Sequence, residues 1–132
     1  MPDATTTALK KASQGLHYPS ETDAPFQTFR WGKAEGRLTK KKVLQLGKHD
    51  PDSPVEEVNL EDFFQDLTRE QDWHGEEEKE DVQRYRALLE AIQEHLSGAR
   101  VFKVGGAQKR VYIVGKTKEG DWAGLKTAAV ET

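Results

Sequence analysis

Residues Arg100 to Val130, RVFKV GGAQ KRVYIVGK TKEGD WAGLKTAAV, decide the fold class. Three runs rich in Val, Ile, Tyr, Phe and Trp, namely Arg100 to Val104, Lys109 to Lys116 and Trp122 to Val130, have strand length and strand composition. Gly105-Gly106 and Glu119-Gly120 separate them and supply the backbone freedom of hairpin turns. Connections this short join antiparallel neighbours, because a parallel crossover needs a dozen or more residues. An antiparallel meander is therefore expected here.

Upstream, Val82, Tyr85, Leu89, Ile92 and Leu96 recur at a 3-4-3-4 spacing, which predicts a helix from about Glu77 to Leu96. Its first turn is rich in Glu, which suits the positive end of the helix dipole, and Gly98 is a good stop. Before it, Asn59 is placed to cap a helix carrying Leu60, Phe63, Phe64 and Leu67. Val55 to Val58 reads as a short strand, and Thr39 reads as the N-cap of a helix over Lys40 to Leu46 that ends at Gly47. Phe26 to Trp31 reads as a strand with Phe29 and Trp31 on one face. His17 to Pro25 is turn-rich, and a short helix is expected over Thr7 to Ser13. The predicted order is α-β-α-β-α-α-β-β-β, an antiparallel sheet with helices packed on it, hence the α+β class.

A chain of 132 residues suits one domain with one core. Residues 1–7 are expected as a polar tail and 8–132 as a single domain. There is no cysteine, which excludes disulfides, a thiol nucleophile and thiolate metal ligands. The polar N-terminal stretch lacks the apolar core expected of a signal peptide, and no run is long and apolar enough to span a membrane. The expected location is the cytoplasm.

The net charge of −3 is unevenly spread. Asp50 to Asp81 holds 14 acidic residues against Arg69 and Lys79, a balance of −12, while the remainder holds 9 acids and 18 bases, a balance of +9. An acidic central third repels nucleic acid and attracts basic partners. On charge alone, a solvated acidic rim is the simpler reading. Lys40, Lys41 and Lys42 form the only basic run, so no direct nucleic-acid binding is expected.

Enzyme signatures are missing. His17, His49, His74 and His95 show no HxH or HExxH spacing, and Ser13, Ser20, Ser53 and Ser97 lie in no GxSxG elbow. The Gly105-Gly106-Ala107-Gln108-Lys109-Arg110 run lacks the P-loop pattern and reads as a hairpin turn. No catalytic residue is assigned, and no cofactor is expected.

Three features stand out. Ser20-Glu21-Thr22-Asp23 is an acidic turn between Pro19 and Pro25, which would present Glu21 at low entropic cost, or would merely cap a turn. Trp73 sits in a polar connection, as an interface anchor or folded back onto the core. The stretch Gly124 to Thr132 is a strand running almost to the end of the sequence, which would hold the oxygens of Glu131 and Thr132 on an ordered element. Such oxygens suit a hard cation such as Mg²⁺, although many termini simply fray.

The ordered set Lys11-Ala12-Ser13-x-Gly15-Leu16, Ser20-Glu21-x-x-x-Pro25-Phe26, Val43-Leu44-Gln45, Phe63-Phe64, Gln71-Asp72-Trp73, Leu88-Leu89-x-x-Ile92, Val111-Tyr112-x-x-Gly115-x-Thr117, Ala123-Gly124 and Val130-Glu131-Thr132 resembles the bacterial nuclease A inhibitor family. The resemblance implies a three-layer α/β/α sandwich of the PR-1-like type with a mixed sheet. It implies a non-catalytic inhibitor of sugar-non-specific, Mg-dependent DNA/RNA endonucleases of the ββα-metal class, acting as a monomer in a 1:1 complex. It places Glu21, next to Ser20, at the nuclease's catalytic histidine. Thr132, next to Glu131, becomes a ligand to the nuclease's Mg²⁺, and Trp73 a contact residue. A protein-binding module of the same fold with a different partner is the alternative.

Overall fold

A computed structural model of the chain describes residues 4–18, 24–34, 36–65, 67–69, 72 and 75–130. The meander is as expected: β5 (Ser97–Gly105), β6 (Gln108–Lys116) and β7 (Asp121–Val130) pair antiparallel in sequence order. Gly105, at φ 118°, opens the first hairpin, and a Cβ there would lie 2.4 Å from the Gln108 carbonyl oxygen. The second turn is closed by Thr117, whose N–H donates to the Asp121 carbonyl (2.8 Å) and whose Oγ1 accepts from the Asp121 N–H (3.1 Å).

The meander is completed on both sides by earlier strands. Residues Gln27–Lys33 (β3) pair with β7, and Val55–Val58 (β4) pair with β5, so the sheet order is β3-β7-β6-β5-β4. Two further strands, His17–Tyr18 (β1) and Ala24–Pro25 (β2), form a separate small pair. Every pairing among the described residues is antiparallel, which corrects the mixed sheet that the family resemblance implies. The reason is topological. β3 and β4 take opposite edges, and each meets only a strand running against it.

Helices cover both faces because β6 and β7 alternate two apolar sets. Val111, Ile113, Leu125 and Ala129 point to one face, where they meet α1 (Ala4–Ser13), α3 (Leu60–Gln65) and α4 (Glu76–His95) through Leu9, Phe63, Phe64, Tyr85, Leu88 and Ile92. Tyr112, Val114 and Trp122 point to the other, where Val43 and Leu44 of α2 (Lys40–Leu46) join Leu38, Phe102 and Val104. Local chemistry sets the helix limits. Thr39 Oγ1 accepts from Lys42 N (3.2 Å), Asn59 Oδ1 accepts from Glu61 N (2.8 Å), and Glu78 Oε2 reaches back to Gly75 N (3.0 Å). Where the sequence suggests a polar tail, α1 already starts at Ala4, and Thr5 is buried in its first turn. β5 begins at Ser97, earlier than Arg100, because a bulge between Ser97 and Arg100 uses Gly98 at φ 58°.

Candidate functional site

Five residues carry the expected site: Ser20, Glu21, Trp73, Glu131 and Thr132. All five lie outside the described residues. The described scaffold nevertheless reaches the flanks of each one.

The segment holding Ser20 and Glu21 is bracketed by β1 and β2, which pair in the register His17 with Pro25 and Tyr18 with Ala24. These arms are fixed from three sides. The Tyr18 ring stacks on Phe63 of α3, with centroids 5.1 Å apart and planes within 9°. Tyr85 of α4 donates its hydroxyl to the His17 carbonyl. Thr127 of β7 places Oγ1 3.2 Å from the Ala24 carbonyl oxygen and 3.0 Å from that of Pro25. This threonine is buried, so its hydroxyl would be costly to leave without partners. Thr127 also stands three residues before Val130, where β7 ends in register with Gln108. One side chain therefore ties β2, the arm that follows Glu21 in the chain, to the strand that leads to Glu131 and Thr132.

The flanks of Trp73 belong to α4. Arg86 Nε donates to the Thr68 carbonyl at 2.9 Å, and the Gly75–Glu78 cap fixes the helix start. Exposed Glu76, Glu77, Glu78, Glu80 and Asp81 follow, with exposed Glu61 and Asp62 on α3. Half of the acidic residues between Asp50 and Asp81 thus form an exposed surface on α3 and α4.

A second constellation was missed in the sequence. His49 Nε2 lies 2.5 Å from Tyr112 Oη, with the rings nearly perpendicular. Gly47 makes room for them: a Cβ there would sit 2.8 Å from His49 Cδ2 and 2.9 Å from Tyr112 Oη. Burial first, then the nearby Arg110, holds the His49 imidazole below its usual range, and burial raises the Tyr112 phenol. Both rings are neutral at pH 7. A groove of about 400 Å³, lined by His49, Ser53, Gln108, Arg110 and Ala128, runs beside them to Val130. The signal was a histidine two residues after a helix-ending glycine, but its partner lies 63 residues away.

The depressed His49 value has a consequence for stability. An unfolded imidazole protonates near 6.5, whereas the folded one resists protonation until lower pH. The unfolded chain then binds more protons as pH falls through 6.5, so stability is full above that value and is lost below it. Urea midpoints between about pH 7.5 and pH 5 should fall in the wild type and fall less in His49→Gln.

Among the described residues, no three His, Asp or Glu side chains converge as a metal site. No described helix is long and apolar enough to cross a membrane.

A family model described as nuclease A inhibitor-like protein matches residues 3–132. The chain belongs to the nuclease A inhibitor-like family. The match runs through both arms around Glu21, through the Trp73 connection and to Thr132, so it takes in every segment assembled above. No curated protein matches the chain. Membership of this family suggests a role in nuclease inhibition.

Proposed function

We propose that this chain is a protein inhibitor of a sugar-non-specific, Mg-dependent endonuclease of the ββα-metal class, and that it plugs the nuclease active site without catalysing a reaction. The observation that carries this reading is the family match across residues 3–132. The Thr127 link between β2, the arm that follows Glu21, and the final strand supports a plug with two coordinated parts.

In this reading Glu21, beside Ser20, meets the histidine that serves the nuclease as general base. A carboxylate there favours the imidazolium, and a protonated histidine cannot activate water. Thr132, with Glu131, offers oxygens to the nuclease's Mg²⁺. That ion steadies the phosphate in hydrolysis, so its capture also denies the substrate a ligand. Trp73 anchors the contact, and the acidic surface of α3 and α4 faces a basic cleft and speeds encounter. The inhibitor is a cytoplasmic monomer of PR-1-like fold, forms a 1:1 complex and needs no cofactor of its own.

Titration against non-specific ββα-metal endonucleases tests the reading. For a cognate enzyme, DNA hydrolysis should fall linearly and vanish at one inhibitor per nuclease. Full activity of every such nuclease at large excess of the chain would refute it.

A further inference from the structure

We infer that the part of the sheet around Phe29 and Trp31, on the face opposite α1 and α4, binds single-stranded nucleic acid. On this face α2 packs against β4 and β5, and its Val43 and Leu44 share a buried cluster with Tyr112, Val114 and Trp122, so the surface that stays accessible is formed by Gln27, Phe29, Trp31, Arg110, Lys126 and Ala128. A ring cluster lies there. Tyr112 is buried at its centre, with Trp31 5.0 Å and Phe29 5.7 Å away between centroids. Phe29 and Trp31 are 4.6 Å apart, and both are half-buried. Phe29 stands in register with Gly124, which puts no side chain in front of the ring.

Among the described residues of β3, β6 and β7, the charges on the ring side are all basic. Strands β3, β6 and β7 carry six bases (Arg30, Lys33, Lys109, Arg110, Lys116 and Lys126) against one acid, Asp121. Asp121 neighbours Trp122 along β7, so it points to the other face, where it pairs with Arg30 at 2.5 Å. On the ring face, Lys126 stands across from Gln27 and Tyr112, Arg110 from Ala128, and Lys116 from Trp122. Among the described residues, no carboxylate pairs with these three cations. Lys126 also lines an open groove of about 990 Å³ at the β3 edge with Lys10 and Lys11, and no Asp or Glu lines it.

Partly accessible Phe29 and Trp31 rings, beside cations that no described carboxylate pairs, match the needs of a single strand: bases stack on the rings, and phosphates pair with Lys and Arg. A duplex keeps its base faces stacked inside and could use only the charges. The expectation of no nucleic-acid contact rested on the acidic residues 50–81, but those carboxylates cluster on β4, α3, α4 and the connections beside them. This inference does not depend on the inhibitor reading.

The test uses the full chain, no nuclease, and EDTA. A fluorescent oligothymidylate of about 16 nucleotides should bind with a log K that falls linearly with log salt. A duplex of equal length should bind at least about tenfold more weakly, as expected if stacking contributes. Arg110→Glu with Lys126→Glu, both on the surface, should weaken single-strand binding by about tenfold to a hundredfold at low salt, with an unchanged melting temperature. Four outcomes would overturn the inference: no binding at low salt, duplex bound as tightly as single strand, polyglutamate bound as tightly as the oligonucleotide, or charge reversal without effect. Concentration-dependent dimerisation abolished by the same reversal would assign the face to a second copy of the chain instead.

Discussion

Glu21→Ala combined with deletion of Thr132 is expected to raise the inhibition constant by about a thousandfold. Truncating one partner of a desolvated, hydrogen-bonded charge contact at an interface costs about 2–5 kcal/mol, and about 4 kcal/mol is a thousandfold in affinity. The two residues act on different groups of the nuclease, Glu21 on the base and Thr132 on the metal. Each single change should therefore leave a partial plug, weakened by about tenfold to a hundredfold, and the two losses should add to within about 0.5 kcal/mol. Folding is expected to be retained in all three variants. Inhibition constants for the four proteins, with a thermal melt of each, check this. Loss of the melt in the double variant would make the effect one of stability.

Gly124→Ala is expected to be the most damaging single change to the fold, costing about 4 kcal/mol or more. A Cβ at this position would lie 1.8 Å from the Ile113 carbonyl oxygen and 3.1 Å from Val114 Cα. These are backbone atoms of the central strand β6, and a strand held on both sides cannot retreat as a flexible side chain would. Relief requires parting β6 from β7, which between them carry the core of both faces. Gly32→Ala is the control. Gly32 has φ 86° but open space around its Cβ position, so alanine there should cost only about 1–2 kcal/mol of backbone strain. Urea denaturation of the two variants should separate them clearly.

The meander was legible in the sequence because its strands are joined by turns that name themselves, Gly105-Gly106 and Glu119-Gly120. The caps at Thr39 and Asn59 were legible for the same reason, since each satisfies donors only two or three residues away. The places of β3 and β4 at opposite edges were not, because nothing local in Gln27–Lys33 or Val55–Val58 states which strand will pair with it. The two-residue strands β1 and β2 are too short for any periodicity, and they exist through contacts made by Tyr85 and Thr127, far along the chain. Of the candidate site, the chemistry of Glu21 and Thr132 was suggested by motif, whereas the buried hydroxyl of Thr127 that links their segments looked like an ordinary strand residue. Phe29 and Trp31 were correctly placed on one face, but only the fold brings Tyr112 beneath them.

Calorimetric binding to a catalytically inactive nuclease, with Mg²⁺ and with EDTA, tests the central claim most directly. If Thr132 holds the metal, chelation should weaken binding of the intact chain by about tenfold or more, a coupling of about 1.4 kcal/mol, and should leave the Thr132-deleted chain nearly unchanged. Equal dependence on Mg²⁺ in both proteins, or none in either, would contradict it.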